Sequence, residues 1–330
     1  MLKFGFFATL AFVLLFFATP AQAQYSTSDN PVTFILTPSY PKPYQTVTVS
    51  PRSTLVDLGA STVTISANGV VVQKGTGTQA AAIQVGGSGE TTRITVTVKG
   101  PDGQIYTATS NVRPADVALV VEPTSTVHPF YQGLPLPAPE GRIRLVAIPD
   151  LRTSANVAIN PDTLIYRWKL GEQVLQSASG VGRSVLVATA PLQYRDAEVT
   201  LTVMSADSSV VAEAKTTIVP VSSLVRMYPY DPLLGPDFDR AIDTSFTLNT
   251  TEASFRAVPY FFSAAPTLEW SVGGTAQGAQ KDITVRSTGS GQGSATLEIR
   301  AKLVNTLQVA SNRTLLRFGE GKSPLSIFGF

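Results

Sequence analysis

The chain has 330 residues with a formal net charge of +2, and 15% of them are charged, against about 25% in an average soluble domain. It has no cysteine and a single histidine. This excludes a disulfide framework, a thiolate metal site and a lipid-bearing cysteine, and the lack of any basic cluster gives no footprint for nucleic acid.

Met1-Leu2-Lys3 opens the chain, followed by an apolar run over residues 4–19 and small residues at Pro20-Ala21-Gln22-Ala23. A charged start, a short apolar core and an Ala-x-Ala site read as a secretory signal peptide over residues 1–23, cleaved between Ala23 and Gln24. The run falls short of the roughly 20 residues that span a bilayer. No later stretch is long and apolar enough to cross, so no transmembrane span is expected after cleavage. Residues 24–30 read as a polar leader.

From residue 31 the chain alternates apolar and polar residues in short runs broken by proline and glycine, which is strand patterning with one buried face. Val32 to Leu36 and Thr46 to Val49 are predicted strands, stopped by Pro38 and Pro51. The same order returns as Val117 to Val121 before Pro123 and Ile143 to Ile148 before Pro149. It returns again as Leu224 to Met227 before Pro229 and Phe255 to Val258 before Pro259. The paired prolines are 13, 26 and 30 residues apart, so repeats two and three carry insertions, residues 130–139 and 231–239. Being proline-rich, these are expected on the surface.

The next strand is the most regular. Thr163-Leu164-Ile165-Tyr166-Arg167-Trp168-Lys169-Leu170-Gly171 recurs 102 residues later as Pro266 to Gly274, with Trp270 in place of Trp168. It also occurs 103 residues earlier as Ser61 to Gly69, with Ile65 in the tryptophan's position. Each copy ends in a glycine turn, as a strand entering a hairpin does. Three or four further strands follow in each repeat, ending near Thr109, Val219 and Phe318. About seven short strands per hundred residues predict an all-β chain of three tandem immunoglobulin-like antiparallel β-sandwich domains. Their bounds are 31–114, 115–220 and 221–318, and the short junctions Val112 to Asp116 and Val219 to Ser222 suggest a semi-rigid rod. An apolar C-terminal tail, 319–330, follows.

Tyr166-Arg167-Trp168 with Gly171, and Leu268-Glu269-Trp270 with Gly274, resemble the bacterial extracellular immunoglobulin-like and polycystic-kidney-disease-type (PKD) repeats. The resemblance covers residues 31–318 and implies that the strand tryptophan lies in the core between two sheets. The Trp-Asp-Phe-Gly-Asp-Gly run of typical PKD repeats is absent, as is the antibody-type cysteine pair. Residues 230–235 and 259–263 also look like segments of secreted bacterial proteins of this kind, which implies export and no activity.

Chemistry is sparse. His128 lies beside a proline-rich loop, with no Gly-x-Ser-x-Gly elbow to serve, and reads as non-catalytic. The glycine runs at 86–89 and 289–293 lead into strands, not helices, so they read as turns and not phosphate cradles. Asp231, Asp237, Asp239 and Asp243 are weak calcium candidates without EF-hand spacing, or a solvated loop. Phe130, Tyr131, Tyr228, Tyr230, Phe261 and Phe262 are the candidate binding surface, with Tyr260 beside them. Aromatics of this kind either grip sugar rings and protein partners or seal the ends of sandwiches. In the tail, Leu325, Ile327, Phe328 and Phe330 could fold back or add as a strand to a partner's sheet. No cofactor and no catalysis are expected. The expectation is an exported structural or adhesive protein meeting a protein or glycan of the cell envelope, or alternatively a carbohydrate-binding accessory protein.

Overall fold

The structure, a computed structural model, describes residues 31–77, 79–288 and 292–319. The signal segment with Ala23 and Gln24, the leader, and the tail residues Leu325, Ile327, Phe328 and Phe330 lie outside the described residues. Among the described residues no helix is long and apolar enough to cross a membrane.

The first sandwich contains β1 (Val32–Thr37), β2 (Thr46–Ser53), β3 (Thr62–Ala67), β4 (Val70–Thr76), β5 (Ala81–Gln84), β6 (Thr92–Lys99) and β7 (Ile105–Val112). The sheet β1-β2-β5 faces the sheet β4-β3-β6-β7. The second contains β8 (Asp116–Pro123), β9 (Arg142–Asp150), β10 (Ile165–Leu170), β11 (Gln173–Val174), β12 (Gly180–Val181), β13 (Val185–Thr189), β14 (Ala197–Met204) and β15 (Val211–Ile218). Here β13-β9-β8 faces β11-β10-β14-β15. In the third are β16 (Leu224–Asp231), β17 (Gly235–Pro236), β18 (Ser245–Leu248), β19 (Glu252–Tyr260), β20 (Thr267–Val272), β21 (Thr275–Gly278), β22 (Asp282–Arg286), β23 (Gly293–Lys302) and β24 (Val309–Phe318). Its sheets run β17-β16-β19-β22 and β18-β24-β23-β20-β21. The chain is therefore an all-β tandem of immunoglobulin-like sandwiches. In each, the strand after the repeated one joins its own sheet, unlike the constant-type immunoglobulin order, where the fourth strand sits on the facing sheet.

Three separate cores form for one reason: in each repeated strand alternate side chains point between the sheets. Val63 and Ile65, Tyr166 and Trp168, Leu268 and Trp270 occupy matching buried positions. The register repeats too, with Ile65 opposite Val96, Trp168 opposite Leu201 and Trp270 opposite Ile299. Each indole N–H finds a backbone acceptor, Trp168 Nε1 donating to Arg183 O and Trp270 Nε1 to Gln280 O, both at 2.9 Å. Burial of the Tyr166 phenol beside Trp168 pushes its pKa up.

Two expectations need correction. Proline ends two of the six strands, β1 just before Pro38 and β8 at Pro123, but not the other four: β2 runs through Pro51, β9 through Pro149, β16 through Pro229 and β19 through Pro259. What it ends is one ladder. β5 pairs with β2 only as far as Val49, β13 with β9 as far as Val146, and β22 with β19 as far as Arg256, so each proline follows where the third strand has left. The missing N–H then faces no partner. The third sandwich also departs from all-antiparallel pairing. Between its insertion and β19, β18 pairs parallel with β24, setting Ser245 against Leu315 and Leu248 against Phe318, and so covers that sheet edge.

Candidate functional site

The two insertions meet. The segment 124–139 of the second sandwich descends onto the β16 and β19 ends and the 231–244 loop of the third. There Tyr228, Val258, Tyr260 and Phe261 form a buried cluster, with Val127, Tyr131, Val221, Leu224 and Phe238 packed against it. Insertion residues such as Leu233 are 95% exposed, as expected, but Ala138 and Pro139 at the end of the first insertion are buried.

His128 sits in this cluster. Its ring stacks on Phe238 at 4.3 Å and 14°, and meets Tyr131 at 5.9 Å and Tyr260 at 5.7 Å edge to face. Phe130 N donates to its Nδ1 at 3.1 Å. Tyr228 and Tyr260 share a hydrogen bond of 2.7 Å between their hydroxyls. Burial pushes the Tyr260 phenol far above the usual tyrosine range, and the bond to Tyr228 adds to this, so the Tyr260 ring stays neutral.

Hydrogen bonds hold the same contact. Thr126 N donates to Phe262 O at 2.9 Å, Phe261 N to Thr126 O at 2.7 Å, and Phe262 N to Thr126 Oγ1 at 3.0 Å. Val221 N donates to Pro137 O at 2.9 Å. Gln308, 3% exposed, bridges the sandwiches: its Nε2 donates to Pro139 O at 2.7 Å and to Ser263 Oγ at 2.8 Å, while its Oε1 accepts from Ser263 N at 2.8 Å. Phe261 has φ +57°, a left-handed conformation that a bulky side chain adopts only under surrounding constraint. Its amide on Thr126 and its carbonyl under Ser223 Oγ supply that constraint.

The first junction is polar by comparison. Lys42 Nζ pairs with Asp116 Oδ1 at 3.0 Å, Ser88 Oγ donates to Asp150 Oδ2 at 2.9 Å, and Arg113 Nη1 donates to Ser209 Oγ at 3.2 Å. The 86–89 glycine turn belongs here. At Gly89, φ +82°, a Cβ would lie 2.8 Å from Thr153 O, so only glycine admits the neighbouring loop this closely. Lys42 and Asp150 are exposed and Asp116 half-buried, and an ion pair so open to water as Lys42 with Asp116 contributes about 0–1 kcal/mol.

The aromatic candidates thus divide. Tyr131, Tyr228 and Phe261 seal the second junction, Phe130 stays 74% exposed at its rim, and Phe262 is wholly buried in the third core, with no surface to offer a ligand. Tyr230 lies elsewhere. Arg256 covers one face of its ring at 4.3 Å and is itself held by Asp282 through two bonds of 2.5 and 2.6 Å, which raise the guanidinium pKa. Tyr230, Asp231, Asp237, Phe246 and Glu252 line an open groove of about 620 Å³. The acidic candidates act as turn caps: Asp231 Oδ1 accepts from Leu233 N and Leu234 N, and Asp237 Oδ1 from Asp239 N, while Asp243 is exposed. Among the described residues no three His, Asp or Glu side chains converge as a metal site.

Thr126, Phe238 and Gln308 are junction residues that the sequence did not mark, and His128, expected only as a non-catalytic loop residue, joins them there. Matched insertions in adjacent repeats were the available signal for Thr126, His128 and Phe238. Nothing local marks Gln308.

No protein-family model matches the sequence, nor does any curated protein. Among solved structures it is similar to the fibronectin(III)-like modules of Clostridium thermocellum CbhA, at 11% identity and TM-score 0.27, covering 57% of this chain and 94% of that one. It is also similar to Sidekick-1 immunoglobulin domains 1–5, at 12% identity and TM-score 0.28, over 89% of this chain and 60% of that one. The central fibronectin-III array of RIM-binding protein matches at 11% identity and TM-score 0.28, covering 88% and 98%. Likeness at this level carries nothing about activity.

Proposed function

We propose that the chain is an exported, non-catalytic structural or adhesive protein that holds a protein or glycan of the cell envelope at a fixed distance and angle. The observation that carries this reading is the second junction, where two insertions, an aromatic cluster and the buried Gln308 bridge fix one sandwich on the next. A flexible tether would need none of these. The signal-like residues 1–23 support export. Cell fractionation with intact-mass measurement tests it: protein beginning at Gln24, held in the envelope and cut by protease added outside, is expected. Full-length protein confined to the cytoplasm would overturn it.

The groove beside Tyr230 favours a second reading, a carbohydrate-binding accessory role, since an aromatic wall with carboxylates beside it suits a sugar ring and its hydroxyls. In that case soluble neutral oligosaccharides bind the protein, and Tyr230→Ala loses at least tenfold in affinity. Wild-type protein that binds none of them at millimolar concentration removes this reading.

A further inference from the structure

We infer that the seam between β1 and β7 of the first sandwich is an acceptor slot for residues 320–330 of a second copy, so that the rods join head to tail. β1 and β7 each end their sheet, and they face one another across a groove of about 530 Å³ lined by Phe34, Ile35, Leu36, Ala108, Thr109 and Ser110. An edge strand beside an apolar groove is a template for a further strand. Phe34 and Leu36 pack against the first core but stay only half-buried, and Ile35 is 50% exposed.

The third sandwich shows what fills such a seam. There β16 and β24 stand where β1 and β7 stand, and the chain's own residues 242–248 lie along both. Ile242 bridges Met227 of β16, Thr244 O accepts from Leu315 N, and β18 then pairs parallel with β24. Alternation sends Phe246 and Leu248 towards the third core. Leu36 faces Val49, two residues before Pro51, just as Met227 faces Ala257, two before Pro259. Met227 is wholly buried beside this segment, and Leu36, which has none, is not. The filling segment lies between prolines 30 residues apart, whereas those of the first repeat are 13 apart and leave no chain for it.

The tail has the pattern the seam needs. Leu325-Ser326-Ile327 repeats the apolar-hydroxyl-apolar order of Phe246-Thr247-Leu248, with Phe328 and Phe330 beyond it, and the polar leader 24–30 does not. It cannot serve its own first sandwich. β24 starts beside Gln308 at the second junction and runs ten residues away from it, about 34 Å. β9 spans the second sandwich from that junction to Asp150 at the first, nine residues and about 30 Å. Along the rod the slot is therefore more than about 60 Å from Gly319, beyond the roughly 40 Å that the 11 residues 320–330 reach when extended. A contact between unlike surfaces does not close on itself, so it builds linear chains.

Sedimentation equilibrium of the chain from Gln24 tests this. Its weight-average mass should rise about twofold or more towards about 100 μM, as docking at about micromolar affinity requires. Removing residues 320–330, or Ile327→Asp, changes no residue of the sandwiches and should restore the monomer. Ser110→Arg, which fills the slot, should do the same with circular dichroism and melting unchanged. Should that variant fail to fold, Ser39→Arg at the exposed mouth of the groove replaces it. A labelled peptide of residues 320–330 should bind the truncated chain, and lose about tenfold or more in affinity when the slot is filled. A monomer at every concentration overturns the inference, and is what a tail laid into the groove beside Phe318 of its own third sandwich would give. Assembly that survives removal of the tail overturns the tail as occupant. Assembly that needs the tail but ignores the filled slot overturns the slot. None of these outcomes bears on export or on the fixed second junction.

Discussion

Trp168→Ala is expected to destabilise the second sandwich by about 3–5 kcal/mol, the cost of emptying a large aromatic position in a packed core. The indole is fully buried between β10, β14 and the facing sheet, and its N–H satisfies Arg183 O. Losing that partner adds about 1 kcal/mol. A domain of this size has a total stability of about 5–15 kcal/mol, so the variant's second sandwich should be marginal at 37 °C. Calorimetry should show its transition moved down by tens of degrees, while the first sandwich, whose core packs around Ile65, unfolds as before. A shift of only a few degrees would mean that the indole does not organise the core.

Gln308→Ala should have its effect between the sandwiches. The side chain spends its donors on Pro139 O and Ser263 Oγ and its acceptor on Ser263 N, across a sequence separation of 169 residues for the first. Truncation leaves buried polar groups unpaired on both sides, at about 1–3 kcal/mol each. Opening the junction lets water satisfy them, so docking bears the loss and folding does not. Amide residual dipolar couplings should then fit separate alignment tensors for residues 116–218 and 224–318, with the chemical shifts inside each sandwich unchanged. Tensors that stay shared in the variant would show that the aromatic cluster alone suffices.

The contrast between these two residues shows what the sequence discloses. Trp168 was legible because a half-buried strand writes its burial into a period of two, and the glycine turn after it marks the hairpin. Tyr166 and Trp168, like Leu268 and Trp270, are buried where that alternation puts them. The prolines were half legible. A missing N–H says that a ladder ends, but not on which side of the strand, and Pro51, Pro149 and Pro259 each end only the outer one. The aromatics were not separable from the sequence. Phe261 and Phe262 are neighbours, yet one faces another sandwich and the other its own core. That difference depends on a left-handed residue and on Thr126, which is 136 residues from Phe262 in the chain. The site itself exists only because two insertions from successive repeats converge, a juxtaposition set by domain packing and not by any local pattern.

The most direct measurement of the fixed junction is the same set of amide dipolar couplings on the wild-type protein at pH 8, in one alignment medium. A sealed contact between the second and third sandwiches predicts a single tensor, of one magnitude and orientation, for residues 116–218 and 224–318. Two tensors of different magnitude would mean that the sandwiches move independently, and would contradict the rod.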